Sequence, residues 1–295
     1  MPYIGRFAPS PTGPLHFGSL LAAVASYCDA RFNQGQWLLR LEDVDRPREM
    51  AGAAQTILQQ LAAFGFEWDG DIWRQSERNS FYEAALNLLQ NQQLIYPCTC
   101  TRKEIADSSN IIGIDGFVYP KTCLNHAIKP NTAFALRIRV GESEITFQDI
   151  IQGKITHKLQ NEVGDFVLKR ADGYFTYQLA VVVDDGAQGV THVVRGADLL
   201  NSTPRQIYLQ QRLNLPTPHY AHIPIARNAA GEKLSKQTLA KAVDSTQANQ
   251  QIWQALHFLG QQPPVELQYV SVQLLWQWAI EHWKLQAVPT QISSF

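Results

Sequence analysis

The chain has little excess charge of either sign. Its 25 Lys and Arg residues nearly balance 26 Asp and Glu residues, which gives a formal net charge of −1. No strong field therefore surrounds the whole molecule, and any contact with nucleic acid must come from local basic patches. The chain also lacks an apolar run near the roughly 20 residues that a membrane span needs. This shortage predicts that no helix crosses a membrane.

A secretory leader is missing as well. The first residues pass straight into an apolar strand pattern, without a charged segment followed by a long apolar one. We therefore expect a cytoplasmic protein. Cysteine is scarce, with four residues in 295, and in a reducing compartment clustered thiols favour a metal site over disulfides.

Proline and glycine, by contrast, are concentrated near the start. Three prolines and a glycine at positions 9–14 predict a rigid loop between a strand at residues 3–8 and a helix after Gly18. The start of a helix has unpaired N–H groups and a partial positive charge, so it favours a phosphate. His16 precedes this helix as a donor, and small residues at Gly18 and Ser19 let a ligand approach the backbone. The alternative is a loop that only begins a helix.

A basic turn lies far downstream, at residues 231–236, where Lys233 and Lys236 flank a serine. Alone it is typical of a solvated loop. Together with the first loop, it resembles the paired signatures of class I aminoacyl-tRNA synthetases. Three more segments are similar to the glutamyl-tRNA synthetase branch, namely residues 6–13, 39–46 and 191–198.

This resemblance implies an α/β fold with a Rossmann-like catalytic domain and a parallel sheet. A strand at residues 37–42 completes a predicted βαβ unit, which agrees with it. Four parts are expected. Residues 1–95 and 176–236 form the two halves of the catalytic domain, residues 96–175 a zinc-containing and RNA-end-binding α+β insertion, and residues 237–295 a helical subdomain. Within the insertion, Ala171-Asp172-Gly173 predicts a hairpin turn between strands at residues 166–170 and 174–179.

Charged residues fall at the ends of the predicted strands. Arg6 and Glu42 lie near the ends of the first two, and Arg195 ends a later one. Ligands bind at the carboxyl ends of parallel strands, and two arginines with one acid match a substrate with two carboxylates and one ammonium, such as glutamate. With Tyr177 beside them, the predicted glutamate site comprises Arg6, Phe7, Ala8, Pro9, Ser10, Glu42, Tyr177 and Arg195.

Two alternatives concern the acidic residues at positions 42–45, which follow the second predicted strand. Glu42 can instead form a surface ion pair with Arg40 or Arg46, and Asp43 and Asp45 can compete for the ammonium. The resemblance selects Glu42.

Three cysteines cluster within the predicted insertion. Cys98, Cys100 and Cys123 need one more ligand for a tetrahedral zinc site, and the alternative is three free thiols. On chemical grounds His126 is the ordinary fourth ligand. The segment also resembles the zinc element of the glutamyl-queuosine tRNA(Asp) synthetases, which implies Tyr119 in that place. Such a closed site is structural.

The resemblance also implies the chemistry. Glutamate attacks the α-phosphorus of ATP, with magnesium, and pyrophosphate leaves. His16 and Lys236 are expected to stabilise the charge, with Lys236 on the pyrophosphate, and His16, Gly18, Ser19, Lys233 and Lys236 to bind ATP. No general base is needed, because the attacking carboxylate is already ionised.

The resemblance implies that the acceptor is a tRNA. Only about 60 residues follow Lys236, so we expect no anticodon-binding domain. This short C-terminal part and the form of both signatures resemble the glutamyl-queuosine tRNA(Asp) synthetases. That family implies transfer of glutamate to the queuosine base at the wobble position of tRNA(Asp), and we expect a monomer. The alternatives are a minimal synthetase that charges a tRNA 3′ end and an inactive RNA-binding paralogue.

Overall fold

The computed structural model describes residues 2–44, 46–226 and 241–290. In chain order its strands and helices are β1 (Ile4–Phe7), α1 (Phe17–Phe32), β2 (Gln36–Leu41), α2 (Ala53–Ala63), β3 (Trp73–Arg74), α3 (Asn79–Asn91), β4 (Ile95–Cys98), α4 (Arg102–Ser108), β5 (Ile112–Gly113), β6 (Gly116–Phe117), β7 (Ala135–Ile138), β8 (Glu144–Asp149), β9 (Gly153–Lys158), α5 (Leu159–Glu162), β10 (Phe166–Lys169), α6 (Tyr177–Ala187), β11 (His192–Gly196), α7 (Thr203–Arg212), β12 (His219–Ile223), α8 (Ala248–Phe258) and α9 (Val272–His282). None of the helices described is long and apolar enough to cross a membrane.

Two sets of parallel strands meet at the centre. β1, β2 and β3 are parallel, which confirms the predicted βαβ unit. β11, β12 and β8 form the second parallel set, and β9 pairs antiparallel with β8. The backbone N–H of Thr191 donates to the carbonyl of Ile4 over 2.9 Å, so β11 lies beside β1. The two sets thus expose neighbouring strand ends.

Strands that precede β8 and follow β9 in the chain form a smaller antiparallel sheet. β7 lies between β4 and β10, and the short β5–β6 hairpin and α4 stand beside it. The predicted strand at residues 174–179 is wrong from Tyr177 onward, where α6 begins. Before it, residues 174–176 pair antiparallel with residues 168–170 across the turn. The apolar run after Tyr177 is buried on almost every side, and such a run cannot be assigned to strand or helix from its pattern alone.

The C-terminal helices share a core with the first half of the chain. Ile252 and Leu256 of α8 and Leu275 of α9 are fully buried in the same cluster as Leu20 and Leu21 of α1. Burying a side chain of this size contributes about 1.5–3 kcal/mol. α8 and α9 therefore hold α1 against the sheet, and α1 begins at the ends of the strands.

Candidate active site

A cleft of about 440 Å³ opens at the carboxyl ends of four parallel strands. Ala8 follows β1, Glu42 follows β2, Arg195 lies near the end of β11 and Pro224 follows β12, and all four line the cleft. Ligands bind at this edge of open parallel sheets.

The cleft collects every predicted substrate-contacting residue that the structure describes. These are Arg6, Phe7, Ala8, Pro9, Ser10, His16, Gly18, Ser19, Glu42, Tyr177 and Arg195. Lys233 and Lys236 lie outside the described residues. The chain on either side of them borders the cleft, because Ala226 lines it and Ala242 forms an antiparallel bridge with His16.

Arg6 is held from behind by an acid. Its Nε lies 3.3 Å from Oδ1 of Asp185, and Arg40 donates to the same oxygen over 2.6 Å. Both arginines are buried, Arg40 completely. Burial acts to raise the pKa of Asp185, but the two guanidinium groups outweigh it and hold that pKa below its usual range. Asp185 is therefore an anion that orients Arg6.

Glu42 is the carboxylate at the cleft wall. It accepts a long hydrogen bond of 3.4 Å from Arg40, so the Arg40 ion pair expected as an alternative exists, but it is buried rather than on the surface. Burial raises the pKa of Glu42 to about 7, against the opposing effects of Arg40 and Arg6. Asp43 instead accepts 2.8 Å bonds from the N–H and hydroxyl of Ser76, and Asp45 lies outside the described residues.

Arg195 is fixed by four hydrogen-bond partners. Its Nε donates to His222 over 3.0 Å, and one terminal nitrogen donates to the Tyr177 hydroxyl over 3.2 Å. The other terminal nitrogen donates to the Thr203 hydroxyl over 2.9 Å and to the Leu199 carbonyl over 3.4 Å. The guanidinium is 4% exposed. A buried cation held in this way is preorganised for an anionic ligand.

His16 caps the helix that begins at the cleft. Its Nδ1 accepts the backbone N–H of Ser19 over 3.3 Å, so a neutral ring carries its proton on Nε2. α1 starts at Phe17, two residues earlier than the sequence pattern predicts, because the His16 side chain supplies the cap. The helix N-terminus thus faces the cleft with a histidine donor beside it.

The three predicted cysteines come together away from the cleft. The Sγ atoms of Cys98, Cys100 and Cys123 lie within 4.8 Å of one another, and those of Cys100 and Cys123 are 3.4 Å apart. Ligands at 2.3 Å from a tetrahedral zinc are about 3.8 Å apart. The Tyr119 hydroxyl is 3.3 Å from Sγ of Cys98 and 3.7 Å from Sγ of Cys100. These four groups fit a closed metal site.

The thiols of this cluster differ in protonation. Burial raises the pKa of Cys100 to about 11, so that thiol would ionise only with a metal bound beside it. Burial acts to raise the pKa of Cys123, but hydrogen bonds from Tyr119 and Thr99 lower it to about 6. Thiolates are the form in which cysteine binds metal. His126 is exposed, and the only group of potential metal ligands among the described residues contains the three cysteines without it. The geometry therefore favours Tyr119 over His126.

Sequence reasoning missed the residues behind the cleft. Asp185, His222 and Asp149 are buried and come from three separate elements, so no spacing along the chain links them. The acid pair Asp184-Asp185 inside an apolar run was the one available signal, since buried charges need partners.

The family model for the catalytic domain of class I tRNA synthetases of the E and Q type matches residues 4–259. The chain belongs to this family. The match includes both predicted signatures and all four strands that end at the cleft, so the class I catalytic fold with its parallel sheet is confirmed.

The curated relatives belong to one branch of this family. A glutamyl-Q tRNA(Asp) synthetase from Dechloromonas aromatica is 55% identical over 291 residues, which cover 98% of this chain and 97% of the relative. One from Aromatoleum aromaticum is 54% identical over 294 residues, covering 99% and 92%. The sequence resemblance to this family of class I ligases is confirmed.

Solved structures agree on the fold. A glutamate tRNA ligase from Elizabethkingia meningosepticum superposes with a TM-score of 0.80 at 24% identity over 98% of this chain, and a glutamate-tRNA synthetase from Elizabethkingia anophelis with 0.79 at 24% identity over all of it. The chain spans about two thirds of the length of these synthetases, 66% and 68%.

Proposed function

We propose that the protein activates L-glutamate with ATP and transfers it to the queuosine base at the wobble position of tRNA(Asp). The observation that carries the proposal is the single cleft in which Arg6, Arg195 and Glu42 lie together with the N-terminus of α1. The relatives named glutamyl-Q tRNA(Asp) synthetase, 52–55% identical to this chain, support the choice of acceptor.

The cleft suits glutamate by charge. Arg6 and Arg195 offer two cations for two carboxylates, and Glu42 offers one anion for the ammonium. Tyr177 adds a hydroxyl, and the turn Phe7–Ser10 supplies the wall. A ligand with one carboxylate fewer leaves one of these two buried guanidinium groups without an anion from the ligand, which weakens binding. This weaker binding is the proposed basis of selectivity for a diacid.

ATP is assigned to the part of the cleft at the N-terminus of α1. His16, Gly18 and Ser19 place helix N–H groups and a histidine donor where phosphates bind. We assign Lys233 and Lys236 to the same phosphates. Lys236 is six residues from Ala242, whose backbone pairs with His16, and six residues of chain span at most about 20 Å.

The reaction then needs orientation and charge stabilisation. A carboxylate oxygen of glutamate forms a bond to the α-phosphorus, the bond to the bridging oxygen breaks, and pyrophosphate leaves with magnesium. His16 and Lys236 stabilise the charge that develops on the phosphate oxygens. A hydroxyl of the tRNA next attacks the glutamyl carbonyl and releases AMP.

Zinc is assigned to Cys98, Cys100, Tyr119 and Cys123, where it would hold the loop between β4 and β7 in place. The tyrosine would bind as its anion, although burial raises its pKa strongly, so the metal itself must favour ionisation. The four-part division at residues 95, 175 and 236, the helical subdomain, a monomeric state and a cytoplasmic location stay predictions.

Two measurements test the proposal. Glutamate-dependent exchange between pyrophosphate and ATP is expected without tRNA, and an inactive paralogue would show none. Labelled glutamate is then expected on nuclease fragments that contain the queuosine of tRNA(Asp), and on none from tRNA that lacks queuosine. Label on the 3′-terminal adenosine would instead identify a minimal synthetase.

A further inference from the structure

Three buried side chains form a row across neighbouring strands behind the cleft. The register pairs Arg195 of β11 with His222 of β12, and Asp149 ends β8 on the other side of β12. His222 and Asp149 are 0% exposed. Arg195 lines the cleft, whereas His222 and Asp149 are not among the described residues that line it.

The hydrogen bonds of this row fix one tautomer. An arginine has only donors, so His222 Nε2, which lies 3.0 Å from Nε of Arg195, must accept. The ring proton is therefore on Nδ1, which donates to Oδ2 of Asp149 over 2.6 Å. Burial lowers the pKa of His222 to about 4, so the ring is neutral near pH 7.

Asp149 is itself held rigidly. Its Oδ1 accepts the backbone N–H groups of Ile151, Gln152 and His222 over 3.0, 2.8 and 3.2 Å. These backbone donors and the His222 ring together fix the orientation of the carboxylate. Burial acts to raise the pKa of Asp149, but the hydrogen bonds from His222 and the backbone hold it below its usual range.

We propose that His222 and Asp149 are positioning residues for Arg195, which aim its guanidinium at a substrate carboxylate and so set the affinity for glutamate. Backbone N–H groups hold the Asp149 carboxylate in place, and Asp149 fixes the tautomer of His222. His222 in turn accepts from Nε of Arg195 and so fixes that side of the guanidinium. The inference rests on the proposed function, in which Arg195 binds a carboxylate of glutamate.

The decisive variant is Asp149→Asn. If its amide oxygen faces the three backbone N–H groups, its NH₂ group faces His222 and forces the ring proton onto Nε2. That proton then faces the N–H of Arg195, with the two nitrogens 3.0 Å apart, and the Thr203 hydroxyl, which is 3.2 Å from Nε2. The Arg195 donor repels it, and the Thr203 oxygen can accept it only by turning the ring away from Arg195. We expect the KM for glutamate in ATP–pyrophosphate exchange to rise about tenfold or more, with the KM for ATP within about twofold of wild type.

Two variants of His222 test the same proposal without relying on Asp149→Asn, which could also affect folding. His222→Gln can place its side-chain oxygen near Nε2 and accept from Arg195, whereas His222→Leu cannot. We expect the glutamine variant to keep a glutamate KM near wild type and the leucine variant to match Asp149→Asn. The ¹⁵N shifts of the His222 ring should report an Nδ1 proton in wild type and an Nε2 proton in Asp149→Asn.

Asp165→Asn is the matched control, since Asp165 is also buried and lies beside the antiparallel sheet, just before β10. Its carboxylate accepts from the Tyr96 hydroxyl over 2.7 Å and from the Val140 N–H over 3.0 Å. The Asp165→Asn change should lower stability without moving the glutamate KM. An unchanged glutamate KM in Asp149→Asn and His222→Leu, or equal rises for glutamate and ATP, would overturn the proposal. If Arg195→Ala leaves the glutamate KM unchanged, the assigned glutamate site fails instead.

Discussion

The surroundings of Glu42 move its pKa close to neutral pH. Burial holds its pKa at about 7, while an ordinary glutamate ionises near 4.5. In the empty cleft near neutral pH the group is therefore partly protonated. An incoming ammonium stabilises the carboxylate and expels that proton.

We expect glutamate binding at pH 6.5 to release a substantial fraction of one proton, and the affinity to rise with pH until it levels off above about pH 7. Titration calorimetry in two buffers of different ionisation enthalpy measures this release. In Glu42→Gln the release should vanish and the affinity should fall about 10- to 100-fold. Equal proton release in that variant would contradict the assignment.

Asp185 carries a second residue-scale prediction. It is the shared acid of two buried arginines, so Asp185→Asn leaves buried positive charge poorly compensated. We expect the free energy of unfolding to fall by about 3–5 kcal/mol, measured by guanidinium denaturation. Asp172→Asn is the control, because its pair with Arg170 is 43% exposed on both sides and should contribute under about 1 kcal/mol.

At the scale of elements, the strand β4 and the loop before β7 meet in a small buried cluster around the cysteines. Cys98 ends β4, Cys100 follows it, and Tyr119 and Cys123 lie in the loop. α4 and the β5–β6 hairpin between them contain few buried side chains. A metal is the natural cross-link for such a segment.

We expect about one zinc per chain by elemental analysis, and loss of most of it in Cys98→Ser. Cys28→Ala is the control, because Cys28 is buried in α1 and outside the cluster. Tyr119→Phe should weaken zinc retention against a chelator, whereas His126→Ala should leave it unchanged. The reverse order would make His126 the ligand.

The segment at residues 231–236, which lies outside the described residues, is the other part of the chain with a proposed role. Lys236→Ala should lower the rate of ATP–pyrophosphate exchange about 10²- to 10³-fold at saturating substrates, because a cation at the leaving group acts mainly in the transition state. Glutamate affinity by calorimetry should barely change. Lys241→Ala, a nearby exposed lysine, should behave as wild type. Strong loss of glutamate binding in Lys236→Ala would refute the role.

At the scale of the whole molecule, the C-terminal helices are tied to the beginning of the chain by buried polar bonds as well as by packing. The indole of Trp283 donates to Asp29 of α1 over 3.0 Å, and that of Trp276 donates to the carbonyl of Phe64 over 2.8 Å. Tyr3 also bonds to Asp29. This end of the chain therefore supports the helix whose N-terminus lines the cleft.

Trp283→Phe keeps most of the ring and removes the donor to Asp29. We expect the free energy of unfolding to fall by about 1–3 kcal/mol in denaturant titrations, since a buried carboxyl loses one partner. Trp278→Phe should cost under about 1 kcal/mol, because Trp278 is only half-buried and stacks on His282. Equal losses in the two variants would argue against this role for the bond.

The sequence by itself determined the parts that depend on local pattern and motif. The prolines and glycine before His16, the alternation of apolar strands with a helix, and the signature segments were enough to predict the βαβ unit, the family and the residues of the cleft. The strand predicted at residues 174–179 was misassigned from Tyr177 onward, because an apolar run buried on almost every side has no periodicity that separates strand from helix.

Only the tertiary structure decided what stands behind those residues. Asp185 behind Arg6, and His222 with Asp149 behind Arg195, come from strands and helices far apart in the chain, and each is buried and charged or polar. The preference for Tyr119 over His126 at the cysteine cluster, which stays a prediction, likewise rests on distances in space. The physical reason is that the sheet order and strand register bring these groups together, and neither can be read from spacing along one chain.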